Sequence, residues 1–246
     1  MLILSKCSDD LLIELKMSVK DLLTTQASKK LKDTEVKRRS KGERTREKIL
    51  VAAIEVLAIN GIKGTTHRAI ASHANLQLSL TTYYFKDIQA LIHQAFKLNS
   101  KRIVAREDTI LTAAFNLITN TKKVELRKVA VKGALCQELS EVTSQHLIDN
   151  IKHHAISLAV EQLMLTETQV TPELRLLSQE HEKAQLVPYE YLCRFFNKIN
   201  PELDAQIMYT VFSQLQYGQL PNQVNIDSDL IHQTTHKMLA WIMSLK

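Results

Sequence analysis

Glycine and proline are scarce in this chain, five and four of 246 residues. A β-sandwich or barrel needs a turn signal about every 8–12 residues, and so few glycines and prolines cannot supply them. What the sequence repeats instead is apolar residues three and four apart, the period of one helix face. Ile148, Ile151, Ala155, Leu158 and Leu165 form one such stripe. Leu174, Leu177, Ala184, Tyr191 and Phe195 form another, and Leu203, Ile207, Val211 and Leu215 a third. Leu126, Val129, Ala130 and Gly133 mark a shorter one, and Ile231, Met238 and Ile242 the last helix. No strand pattern and no internal repeat is visible, so the chain reads as all-α. An apolar content of 45% is enough for a substantial core. Aromatics are 5%, a poor supply for a base-stacking surface. No apolar run approaches the roughly 18 residues of a membrane span, so no membrane partner is expected. The opening MLILSKCSDDLL turns acidic too soon for a secretory signal, and Cys7, Cys136 and Cys193 are an odd, widely spaced set. Both point to the cytoplasm.

The net charge of +6 is unevenly placed. Residues 29–48 hold ten basic and four acidic side chains, among them Lys37, Arg38, Arg39 and Lys41. Residues 49–102 hold six bases and two acids, so a segment of 74 residues carries +10 and everything else −4. Such a run is either a solvated linker or a polyanion-binding unit, with the phosphate backbone of nucleic acid the best-matched partner.

Local signals within that segment decide between the two. Residues 9–23 have the period of a short amphipathic helix, and 24–40 lack any period and read as a flexible arm. Ser40 and Glu43 have the spacing of a capping box, opening a helix that buries Ile49, Ala53, Val56 and Leu57 and stops at Asn60-Gly61. Thr65 or Thr66 caps a second short helix through Ala74, burying Ile70 and Ala71. Asn75 tolerates the left-handed turn that follows. A third helix covers about Leu78 to Tyr84, and a fourth starts near Asp87 with Leu91, Ile92 and Ala95 inward. Two short helices joined by a three- to four-residue turn fit a helix-turn-helix, whose second helix enters the major groove. Arg68 and Lys86 flank hydroxyls on Ser79, Thr81, Thr82, Tyr83 and Tyr84 that can bond phosphates or base edges. The plainer reading makes the two tyrosines packing residues.

The stretch from Arg44 to Phe96 resembles the amino-terminal domain of the TetR family of bacterial transcriptional regulators. The resemblance rests on Arg46, Ile49, Leu50, Ala52 and Ala53, on Gly61 and Thr66, on Ile70-Ala71, and on Tyr83-Tyr84-Phe85 followed by Leu91. It departs at Asn75 in place of a turn glycine, Thr82 in place of tyrosine, Ile88 in place of lysine, and the apolar Leu78 and Leu80. The resemblance implies a basic extension over 1–40, a DNA-binding domain over 41–103 and a helical ligand-binding and dimerisation domain over 104–246. By the same resemblance, Thr66, His67 and Arg68 anchor phosphates, Gln77, Leu78, Ser79 and Thr81 lie nearest base edges, and Tyr83, Tyr84 and Lys86 clamp the backbone. Lys37, Arg38, Arg39 and Lys41 would add contacts from the arm.

It further implies a homodimer that binds a palindromic operator in double-stranded DNA as a repressor and lets go when a small-molecule effector enters the body. Pro188 should kink the helix over 172–199, and that helix and the next would form the subunit interface through Phe195, Phe196, Val211 and Leu215. A packing role for those four within one subunit is the competing reading. Pocket candidates are Phe115, Gly133, Cys136 and Gln162, with Gly133 marking a close approach of a helix or ligand. Gln162 and His181 each sit on an apolar stripe, where the bland expectation is a core polar group satisfied by hydrogen bonds. No cofactor, metal or catalytic site is expected: His232 and His236 have i, i+4 spacing and His153-His154 are adjacent, but no further ligand completes a zinc set. There is no H-E-x-x-H, Gly-rich phosphate loop or G-x-S-x-G elbow. The alternative function is a dimeric helical small-molecule sensor whose DNA binding is lost or secondary.

Overall fold

The computed structural model describes residues 41–122, 124–167, 171–196 and 199–245. The amphipathic stretch at 9–23, the arm at 24–40 and the capping residue Ser40 lie outside them. Eight α-helices follow one another among the described residues, with no strand. They are α1 (Lys41–Gly64), α2 (His67–His73), α3 (Leu78–Tyr84), α4 (Ile88–Asn120), α5 (Val129–Thr166), α6 (Pro172–Phe196), α7 (Pro201–Gln219) and α8 (Ser228–Ile242). Short 3-10 turns cover Glu125–Arg127 and Leu220–Asn222. The all-α expectation holds.

The chain divides into two compact units after Thr45. Of the first, only residues 41–45 are described, where the Thr45 hydroxyl donates to the Lys41 carbonyl at 3.0 Å. The second, Arg46–Lys246, contains the rest of α1 and the seven helices after it.

Its front end is built by the local rules read from the sequence. Gly61 breaks the regular part of α1 with φ 64° and ψ −176°, a combination essentially confined to glycine. Buried Thr65 donates its hydroxyl back to the Gly61 carbonyl at 2.7 Å. Thr66, extended at φ −126°, caps α2 by accepting from the Ala69 N–H at 3.1 Å. Asn75 takes the left-handed turn at φ 50°. Asp87 caps α4 by accepting from the Gln89 N–H at 3.1 Å.

Two apolar clusters organise this unit. The first joins Ile49, Leu57, Ile70, Phe85, Leu91 and Phe96 with Val160 and Met164 of α5 and Leu174 and Leu177 of α6. The second joins Ile118, Leu139, Ile151, Leu158, Met208, Phe212, Ile231 and Leu239. Each large side chain so enclosed contributes about 1.5–3 kcal/mol. The first cluster seats the short front helices on the start of α4, which continues without a break into the body.

The body departs from the expected stripes where helices start or bend. Val129 is 76% exposed and Ala130 is also exposed. The reason is that α5 begins at Val129 after the 3-10 turn, and its buried face starts at Leu135, Cys136 and Leu139. Ala184 is exposed, and Leu203 is 57% exposed while Ala205, Met208 and Phe212 carry the buried side of α7. Helix α6 runs on through Pro188 to Phe196. Helix α5 is the one that breaks within the body, at His154 (φ −132°, ψ 22°).

Candidate nucleic-acid interface

Helix α3 has two unlike sides. Thr81 is fully buried and donates its hydroxyl to the Leu78 carbonyl at 2.8 Å, and Phe85, which ends the helix, is 4% exposed. On the outer side stand Ser79, Thr82, Leu78 at 42% exposure and Tyr83 at 76%. Thr81 therefore does not face outward, and the expectation that it reaches base edges is corrected: four residues before Phe85, it shares the side that anchors the helix. The Thr82 hydroxyl donates back into its own helix, to the carbonyls of Leu78 (3.3 Å) and Ser79 (3.2 Å). Gln77 stands at the N-cap position, exposed and without a side-chain capping bond.

The two tyrosines divide the readings set against each other. Tyr84 packs against the first apolar cluster, whereas Tyr83 stands free of it, edge-on to Tyr84 at 5.2 Å and 87°. Packing thus accounts for Tyr84 and not for Tyr83. Thr66, Arg68 and Lys86 are exposed, and His67 is half-buried with its Nδ1 buried and unpartnered. Lys41 is exposed at the start of α1. Lys37, Arg38 and Arg39 lie outside the described residues.

Behind this surface Arg46 packs against the end of α3. Its guanidinium lies 5.0 Å over the Phe85 ring and donates from Nη2 to Gln94 Oε1. Glu55 and His73 close the outer side of α1 and α2 at 2.7 Å. In the sequence Arg46 is a motif position, and its spacing from Phe85 and Gln94 holds no signal for this contact.

The body holds a second set of polar groups. His181 of α6 accepts or donates at both ring nitrogens, 2.8 Å from Ser100 Oγ of α4 and 2.6 Å from Glu161 Oε1 of α5. All three are buried, so His181 is a satisfied core histidine, as the bland expectation had it. Gln162 is exposed, and the buried polar residue of that stripe is Glu161. Glu161 is the i+3 and Gln162 the i+4 neighbour of buried Leu158, and the buried face of α5 passes through Leu158, Glu161 and Met164.

Asn99 and Ser157 bond reciprocally, at 2.8 Å and 2.7 Å, and Arg106 Nη2 donates to the Ser157 hydroxyl at 3.2 Å. Glu107 accepts from His146 at 3.0 Å and Asn150 at 3.3 Å. Phe115 is half-buried on α4. Cys136 is buried, with Sγ 4.0 Å from His236 Nδ1. A Cβ on Gly133 would meet nothing within 4 Å, so no close approach explains that glycine. His232 stands 3.8 Å from Glu141.

Two cavities lie elsewhere, and none of the four candidates lines them. One of about 360 Å³ lies between Ile62, the first turns of α4 at Asp87 and His93, and the start of α6 at Glu173 and Leu174. The other is an open groove of about 610 Å³ between α4 and α5, from Arg106 to Ala113 on one side and Glu141 to His154 on the other. Burial, reinforced by Arg106, His153 and His146, lowers the proton affinity of His154 on this groove. Burial also pushes the Cys193 thiol up to about 12, which keeps it protonated. The interface candidates Phe195, Phe196, Val211 and Leu215 are all half-buried against the second cluster, the two phenylalanines edge-to-face at 4.9 Å.

No family model matches the chain, and no curated protein matches it. Solved structures do match its fold. A transcriptional regulator from Rhodococcus sp. superposes with a TM-score of 0.63 at 10% identity, covering 81% of this chain and 96% of that one. A member of the TetR family from Streptomyces coelicolor superposes at 0.53 with 18% identity, covering 79% and 97%. A protein from Saccharomonospora viridis, solved in complex with choline, superposes at 0.60 with 14% identity, covering 80% and 95%. The chain therefore has the fold seen in TetR-family regulators.

Proposed function

We propose that this chain belongs to the TetR family and is a cytoplasmic DNA-binding transcriptional regulator. In this reading it is a homodimeric repressor on a palindromic operator, released by a small-molecule effector. The observation that carries the proposal is the two-sidedness of α3. Its inner side is locked by Thr81 and Phe85, and its outer side offers Gln77, Ser79, Thr82 and Tyr83 between the exposed cations Arg68 and Lys86. A rigid helix with polar side chains facing out and bases at both flanks is what major-groove reading requires. The concentration of positive charge in residues 29–102 supports it further.

The homodimer reading draws support from α6 and α7. Phe195, Phe196, Val211 and Leu215 are incompletely covered, and Leu203 on the same helix as Val211 is exposed. The choline bound by the S. viridis protein supports a small-molecule role for the body. No catalytic group or cofactor is needed for this function, and among the described residues no helix is long and apolar enough to cross a membrane.

The test is a mobility shift with the DNA upstream of the chain's own gene, at about 50 mM salt, followed by footprinting for a palindrome. Retardation is expected. Arg68→Ala should lower the slope of log affinity against log salt by about 0.9, and Gln77→Ala should relax base preference by about 1–3 kcal/mol at one position. Neutralising Lys37, Arg38, Arg39 and Lys41 in the full chain should lower the slope by about 0.9 for each phosphate contact made by the arm. A folded dimer that retards no DNA at this salt would overturn the proposal, and an unchanged slope would remove the arm from the interface.

A further inference from the structure

The outer side of α3 is poorer in hydrogen-bond donors than its residue types suggest. A hydroxyl has one proton to give. That of Thr82 goes back to the carbonyls of Leu78 and Ser79, and that of Thr81 goes to Leu78 on the buried side. In the first turn of the helix, Gln77 and Ser79 are the exposed polar side chains, and Leu78 stands between them.

Leu78 is 42% exposed and belongs to neither apolar cluster. The leucines around it are placed differently. Leu76, before the helix, packs against the first cluster, and Leu80 is half-buried. At about 100° per residue, Leu80 lies roughly 200° round the helix from Leu78, so the two do not share a side. Thr82, one turn on, does share it. One branched apolar side chain is thus held out among polar neighbours, on the side flanked by the exposed cations Arg68 and Lys86. Those cations, within a segment of +10, match a duplex as the occupant.

Leucine neither donates nor accepts a hydrogen bond, which limits what it can recognise there. The base edges of the major groove carry donors, acceptors and one apolar group, the C5 methyl of thymine. Set against cytosine, the same side chain would cover the N4 amino group and leave a donor without an acceptor.

We propose that Leu78 reads a thymine through its methyl group, so that one position in each half of the operator is set by an apolar contact. The proposal rests on the reading of the chain as a DNA-binding regulator and adds the chemistry of one base position to it.

The experiment begins by selecting duplexes from a randomised pool with the full chain. Each thymine of the tightest duplex is then replaced singly by deoxyuridine, which keeps every hydrogen-bonding group and lacks only the methyl. At one thymine per half-site the replacement should weaken binding about four-fold, the effect of taking one methyl from water, and about 15-fold when both halves are changed. Leu78→Ala should bind the thymine and deoxyuridine forms equally at that position, and Leu78→Met should retain the preference. Position 78 is exposed and outside both clusters, so neither change disturbs the fold. Equal binding of thymine and deoxyuridine at every position overturns the inference and leaves DNA binding standing. So does a Leu78→Ala protein that keeps the full preference, or a Leu78→Met protein that has lost it. Selection of no duplex at all overturns DNA binding and this inference with it.

Discussion

Across residues 61–87 the polar bonds that shape the backbone join near neighbours: Thr65 to Gly61, Thr66 to Ala69, Asp87 to Gln89. In the body they join residues far apart, with Asn99 reaching Ser157 across 58 positions and Ser100 reaching His181 across 81. The front end keeps its charges on the surface, whereas the body buries Glu161 and His181 together. The difference teaches where each region is vulnerable. A local cap can fail alone and cost one hydrogen bond. A buried pair that loses one member strands the other in a medium that cannot solvate it.

Three measurements can break or sharpen that contrast. The largest effect is expected from His181→Ala, which leaves Glu161 buried without its 2.6 Å partner and the Ser100 hydroxyl without its own. Denaturant unfolding should show a loss of about 3–5 kcal/mol, with most of it recovered when Glu161 and His181 are both made Leu. A loss below about 1 kcal/mol would mean that the network contributes nothing to holding α4, α5 and α6 together. A smaller effect is expected from Thr66→Ala, about 1 kcal/mol, for the loss of one cap. That loss should add to the His181→Ala loss within about 0.5 kcal/mol, because the two share no partner. Strong coupling would show that the front end is not built locally.

The smallest effect concerns alkaline pH. Burial first, and Glu161 second, hold the Tyr217 phenol well above its ordinary value of 10.0. The folded chain therefore keeps that proton more tightly than the unfolded chain. The associated stability is complete below about pH 10 and falls as pH rises above it. Tyr217→Phe should flatten the alkaline limb of the stability profile, and a limb of unchanged slope would show that this phenol does not contribute.

Much of the front end was legible because each of its features is decided by one residue and its backbone. Gly61, Thr66, Asn75 and Asp87 stand where a positive φ, an N-cap, a left-handed turn and a second N-cap occur. Thr81 was misread because its hydroxyl resembles those of Ser79 and Thr82 in sequence, while one helical position turns it into the core. The burial of Glu161 beside exposed Gln162 has a related reason. Beyond Leu158 the stripe through Ile148, Ile151, Ala155 and Leu158 can pass to Glu161 or to Gln162, and packing against α4 and α6 buries Glu161. Glu161 lies three residues from both Leu158 and Met164, but a helical stripe admits the three- and the four-residue step alike.

By itself the sequence determined the all-helical class, the order and caps of the front helices, and the +10 segment in which they lie. These follow from short-range physics: turn chemistry, helical period and counts of charge. The tertiary structure alone decided which side of α3 faces out, that Glu161 and not Gln162 is buried, and that Arg106 reaches Ser157. Those depend on where helices 50 to 80 residues apart come to rest against one another, and a helical period has no information about its distant partner.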